Sequence, residues 1–232
     1  MGISGHFIRT KGEKMTEAVP YVITISRQLG SGGAYLGQRI AYRVNALYLD
    51  HEIVRQAAQE LKIPEEHVVL RDEKVTSRWQ SILRSFVDST SWSYAPPPLD
   101  TLNDKDLYKV ESDIITRIAN QSSAVIVGRG AYHVLRNHPR LLSIFLHADT
   151  GFRQQRVQEL YHVSAPEALK LISSIDKDRA SYLRAFTGQD WQDARQYHLS
   201  LDTGVLGLDK AEEIILKTLQ VRFGDIKLEA KK

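Results

Sequence analysis

The residues able to do chemistry in this chain of 232 residues are glycines and arginines. A turn of Gly30-Ser31-Gly32-Gly33 follows the β-branched run Val22-Ile23-Thr24-Ile25. Apolar positions at helical spacing come next, Leu36, Ile40, Ala41 and Val44. Strand, glycine turn and helix is the layout of a phosphate-binding loop. Its amide hydrogens and the helix N-terminus converge on an anion, and its glycines admit a close backbone approach. A glycine cluster can also be only a tight turn, but its place after the first strand and before a helix favours phosphate. The usual signature ends Gly-Lys-Ser/Thr. Here Gly32, Gly33 and Ala34 stand, so the lysine and the metal-binding hydroxyl are both missing.

Two further constellations carry positive charge. Gly128-Arg129-Gly130 ends an apolar run, where an arginine between glycines can reach a phosphate bidentately. The bland alternative is a surface arginine in a turn. Asp176-Lys177-Asp178-Arg179, followed by Arg184, lies in a helical stretch before Gly188. Such a run is usually a solvated face. The other reading is a lid whose arginines close over transferring phosphates. The histidines form no zinc-ligand spacing, and there is neither a serine elbow nor a paired-carboxylate signature.

These residues need a scaffold, and the apolar pattern supplies one. Short strands are predicted at Val22–Ile25, Leu47–Asp50, Ala124–Gly128, Leu141–Leu146 and Tyr197–Leu201. Helices are predicted between them: from Leu36, over His51–Leu61, from Pro64, over Thr76–Asp88, Asn103–Asn120, Asp149–Tyr161 and Ser164–Ala185. Ser164 and Glu167 form a capping box. A last helix is expected from an Asp209 cap to Val221. Ser89–Pro98 reads as a proline-rich connector in which Trp92 and Tyr94 serve either as loop anchors or as a stacking surface for a base. Continuous apolar strands alternating with helices predict a doubly wound α/β sheet, the second strand pairing with the first. Ligands then gather at the carboxyl ends of the strands, at 27–33, Asp50, 128–130 and 147–149.

Bulk composition narrows the class. With no cysteine there is neither a disulfide framework nor a thiolate metal site. No apolar run approaches the ~20 residues that span a membrane. A net charge of +3 suits small polyanions and is too weak to argue for nucleic acid. Residues 1–18 are expected to be a disordered polar leader, 19–223 a single domain and 224–232 a polar tail. A cytoplasmic protein without membrane or nucleic-acid partners is the expectation.

Four stretches follow one another in order: TISRQLGSGGAYLGQRIA (24–41), LYLDHEIV (47–54), the run 124–149 with FRQQR (152–156), and DKDRASYLRAFTG (176–188) leading to YHLSLDT (197–203). The chain resembles the cytidylate kinase-like proteins and, through them, the nucleoside monophosphate kinases of the P-loop fold. The resemblance implies a five-stranded parallel sheet with helices on both faces, a helical monophosphate-binding region at about 51–120 and a lid at about 164–195. It implies transfer of the γ-phosphoryl of ATP, with Mg²⁺, to a nucleoside monophosphate, CMP or dCMP ranking first. Gly30, Ser31, Gly32, Gly33 and Ala34 would cradle ATP. Arg129 would meet the monophosphate, Arg179 and Arg184 would belong to the lid, and Asp50 and Asp178 would touch the acceptor.

Several positions depart from the cytidylate kinase pattern. Gly33 and Ala34 replace the loop lysine and hydroxyl, Val127 an aspartate, Gly130 an acid, and His51-Glu52 a Ser-Gly pair. Each lost electrostatic donor is worth about 3 kcal/mol of transition-state stabilisation. A catalytically weak nucleotide-binding module, or a kinase for another small acceptor, are therefore the rival readings. Arg27, at the start of the loop, either supplies the cation that Gly33 lacks or pairs with an acid such as Asp50.

Overall fold

The computed structural model describes residues 20–50, 104–224 and 226–230. The expected leader, the predicted helices between His51 and Asp88, and the proline-rich connector with Trp92 and Tyr94 lie outside the described residues.

Five parallel strands build the sheet: β1 (Val22–Arg27), β2 (Leu47–Leu49), β3 (Ala124–Val127), β4 (Leu141–His147) and β5 (Leu199–Asp202), in the order β2-β3-β1-β4-β5. β1 is central, running beside β3 from Val22↔Ala124 and beside β4 from Val22↔Leu141. The second strand is therefore not the neighbour of the first. β2 pairs with β3, which takes the inner place. Burial accounts for this: all of Ala124–Val127 is buried, whereas Leu47 and Tyr48 keep exposed area that an edge tolerates.

Alternation along the strands dresses both faces. On one, Ile23, Ile25, Val125 and Val127 pack beneath α1 (Gly33–Arg43) and the C-terminal helix Leu208–Phe223. On the other, Val22, Ala124 and Ile126 pack beneath Ile114, Ile115 and Ile118 of α2 (Asp104–Gln121) and beside α3 (Ala131–Val134). The fold is an α/β sheet with helices on both faces, as the strand and helix pattern predicts.

Three further helices cover the carboxyl edge. α4 (Thr150–Tyr161) is capped by Asp149, whose side chain accepts from the Phe152 amide at 3.0 Å. α5 (Ala165–Thr187) starts on the predicted capping box, the Glu167 carboxylate accepting from the Ser164 amide at 2.9 Å. It ends at Gly188 in the left-handed region. α6 (Thr203–Leu206) is a short turn after β5 that the sequence pattern does not announce. The C-terminal helix, α7, differs at its start. Gly207 is the cap, and Asp209 lies within the first turn, where it pairs with Arg39 of α1 at 2.9 Å.

Ile126 is fully buried in β3 between two strands. Ile126→Ala should cost roughly 2 to 5 kcal/mol, read as a lower urea midpoint with an unchanged m-value.

Candidate active site

The loop between β1 and α1 is held from several sides. The Gln28 amide donates to Leu146 O at 3.0 Å, and the Ser31 amide closes a turn on Gln28 O at 3.3 Å. Ser31 is fully buried, and its carbonyl accepts from the Thr203 hydroxyl at 2.9 Å. Gly30 and Gly32 both have φ of 85°, the left-handed region. At Gly30 the close approach is to protein: a Cβ there would fall 2.7 Å from the carbonyl of Arg153 on α4.

Gly33, where the lysine of the usual signature would stand, is crowded in the same way. A Cβ at Gly33 would lie 2.5 Å from Cγ and 2.7 Å from Cβ of Arg27. The stem of Arg27 thus fills the space a side chain at position 33 would need. Its guanidinium continues to the end of β3, where a Cβ added at Gly128 would strike Nη1. Among the described residues no carboxylate lies within ion-pairing distance of Arg27. Asp50 acts on it only as a weaker, more distant influence. Burial foremost, then the charge of Arg179, pulls the Arg27 pKa down to about 9, against a partial upward pull from Tyr48 and Asp50. It remains a cation at neutral pH.

A cavity of about 520 Å³ opens at this edge, and its walls include Arg27, Arg129, Asp178 and Arg179. Arg129 sits in a run of three left-handed residues, with φ of 90° at Gly128, 56° at Arg129 and 62° at Gly130. Such a conformation costs a residue with a side chain roughly 1 to 2 kcal/mol and persists where its surroundings impose it. Here the imposing groups are Glu111 of α2, 3.4 Å from Nη1, and the Tyr182 ring of α5, 5.5 Å from the guanidinium carbon. Burial holds the Arg129 and Arg179 pKa values below the ordinary arginine range.

Arg179 donates to the Arg27 carbonyl at 3.0 Å and lies 3.5 Å from Asp176. Asp176 also accepts from the Leu29 amide at 2.8 Å and pairs with Arg153, itself buried against the loop. One carboxylate on α5 thus ties the glycine loop, α4 and Arg179 together. Arg184 lies further along α5, exposed and outside the cavity wall. The five-residue spacing from Arg179 already separates the two around a continuous helix. Gly30 to Ala34 are not among the residues that line this cavity.

Motif reasoning gives three residues of this arrangement no role: Arg153 and Asp176, which lie within the quoted stretches, and Glu111, which lies outside them. Glu111 had a signal. It falls on the apolar stripe of α2 with Ile114, Ile115 and Ile118, where a lone acid is out of place. Ala34 brings no hydroxyl and Val127 no carboxylate. Among the described residues no three His, Asp or Glu side chains gather closely enough to hold a metal ion. The donor set of the described residues fits phosphate groups and does not fit a protein-held magnesium ion.

Residues 22–205 match the sequence model of the cytidylate kinase-like family. The chain belongs to that family. Among solved structures, an uncharacterized protein from Eubacterium ventriosum ATCC 27560 is 24% identical with a TM-score of 0.65, covering 87% of this chain and 99% of its own, and shares the fold. A shikimate kinase from Bacteroides thetaiotaomicron (13% identity, TM-score 0.46, 86% and 98% covered) and a gluconokinase from Sinorhizobium meliloti 1021 (16%, 0.48, 88% and 94%) are more distant. No curated protein matches the chain. Among the described residues no helix is long and apolar enough to cross a membrane.

The Asp176 tie makes a prediction. Asp176→Ala leaves Arg153 buried without its partner, and loss of one member of a buried pair costs about 3 to 5 kcal/mol. The variant should melt well below wild type and, where still folded, bind ATP more weakly in a calorimetric titration.

Proposed function

We propose that this cytidylate kinase-like protein transfers the γ-phosphoryl of ATP to a nucleoside monophosphate, with CMP or dCMP as the first acceptors to test. One observation carries the reading: Arg27, Arg129 and Arg179 converge on one cavity beside a glycine loop at the carboxyl edge of the sheet. Three guanidiniums facing one space suit several negative charges in close order. In phosphoryl transfer an acceptor oxygen forms a bond to the γ-phosphorus as the bond to the β–γ bridging oxygen breaks. Catalysis is largely positioning and neutralisation of the equatorial oxygens.

Roles follow from place. Backbone of Gly30 to Ala34 and the start of α1 would hold the ATP phosphates. Arg27 would supply the charge that lysine gives other loops, Arg179 would face the transferring group and Arg129 the acceptor's phosphate. Asp178 and Asp50 would contact the acceptor, and Arg184 would join only on closure of α5 as a lid. Magnesium would arrive on the ATP phosphates as their counter-ion. Small nucleotides in the cytoplasm, and neither nucleic acid nor membrane, complete the reading.

A second reading, a nucleotide-binding module with little turnover, draws on Ala34, on Val127 and on the Leu29 amide already taken by Asp176. Incubation with ATP, Mg²⁺ and each monophosphate separates the two: ADP formation with one acceptor supports the kinase, and ATP binding without turnover supports the module.

The role of Arg27 has its own test. Arg27→Ala should lower kcat by roughly 100-fold or more, the cost of one transition-state donor, and leave melting near wild type because a half-buried side chain that makes no ion pair among the described residues is removed. Gly33→Lys alone should destabilise, its Cβ having no room. Arg27→Gly with Gly33→Lys should regain stability and part of the turnover. Full activity in Arg27→Ala rejects the assignment.

A further inference from the structure

Glu111 lies behind Arg129, and the roles above make no use of it. Its side chain is 1% exposed. One carboxylate oxygen, Oε2, faces Arg129 Nη1 at 3.4 Å and accepts from the Tyr182 hydroxyl at 3.2 Å. The other, Oε1, is buried with no hydrogen-bond partner, as is Nε of Arg129. Arg129 keeps 11% of its side chain exposed and forms part of the cavity wall. One guanidinium therefore stands between an internal carboxylate and a space suited to an external anion.

We propose that Glu111 is the internal counter-ion of Arg129, a positioning residue that, with Tyr182, holds the guanidinium to the cavity and takes up a proton when an anion binds there. The inference rests on reading the cavity as a phosphate site. Two anions sharing one cation repel, and the one able to accept a proton does so. Once the incoming anion neutralises Arg129, an ionised Glu111 would be a buried charge without compensation, which the interior tolerates poorly. The proton comes from solvent and adds to the carboxylate, and no other bond is made or broken.

Among the described residues Glu111 is the group placed to respond. Arg129 faces it from the turn after β3, Tyr182 from α5, and Tyr108 lies on its own helix. Arg27, Arg179 and Asp178 stand further round the cavity. Burial raises Tyr182 far above neutrality, and Arg27, with a pKa of about 9, stays mostly charged up to pH 8.5. Burial also pushes the Glu111 carboxyl up to about 7, the Tyr182 hydrogen bond partly opposing it. A bound anion raises it further, so proton uptake falls in the window above pH 7 and affinity declines as pH rises through it.

Sulfate is the probe, because it stays a dianion throughout this range. In calorimetry on the wild-type protein at pH 7, two buffers of different ionisation enthalpy should give different apparent enthalpies, reporting uptake of part of a proton per sulfate. Affinity should fall about tenfold between pH 6 and pH 8.5, the consequence of a shift of about one pKa unit on binding. Glu111→Gln should show no uptake and a flat affinity. Sulfate binding by the wild type without proton uptake, or equal uptake in Glu111→Gln, overturns the counter-ion role alone. The wild-type measurement decides this even if the variant does not fold. Failure of sulfate to bind the wild type overturns the phosphate-site reading and this inference with it.

Discussion

The space above the α-carbon of Gly33 can hold one side chain, and Arg27 occupies it. A lysine at position 33 would need the volume that the Arg27 stem now fills. Position 27 is the last residue of the central strand, so its side chain can run from the start of α1 to the end of β3. A charge delivered by this route comes from the strand, the most constrained element of the fold, held by β3 on one side and β4 on the other. Gly128 completes the constraint, since a side chain there would strike the guanidinium.

Concentrating arginine at one edge has an electrostatic cost, and the structure meets it with few acids. Each of Arg27, Arg129 and Arg179 is held below its ordinary pKa chiefly by burial. Asp176 serves Arg153 and Arg179 at once, and Glu111 serves Arg129. Arg27 is left with backbone, glycines and the remote pull of Asp50. An edge so composed is poised for anions, because each negative group that arrives relieves repulsion already present.

The helix α5 joins these parts. From it Asp176 reaches the Leu29 amide, Arg179 the carbonyl of Arg27, and Tyr182 both Glu111 and Arg129. Residues 176, 179 and 182 recur every three positions and so share one face of the helix. Displacement of α5 would alter the loop, the strand end and the Arg129 turn together. That coupling makes α5 the element on which all three depend.

Much of this was legible in the chain itself. The apolar runs of β1, β3 and β4, the capping box at Ser164 and the glycine turn determined an α/β sheet with a loop suited to phosphate at its carboxyl edge. Period-2 and period-3.6 patterns are local, and local sequence carries them. The stretches 24–41, 47–54, 124–149 and 176–203 also determined the family. Tertiary structure alone decided that β3 separates β1 from β2, that Asp209 sits inside a helix rather than capping it, and that Arg179 faces the cavity while Arg184 faces solvent. It alone showed Arg27 lying across Gly33, and Glu111 and Asp176 holding the arginines. Each of these is a contact between segments distant in the chain, set by which side chains can share one volume and which charges must then be compensated, and no local periodicity encodes that.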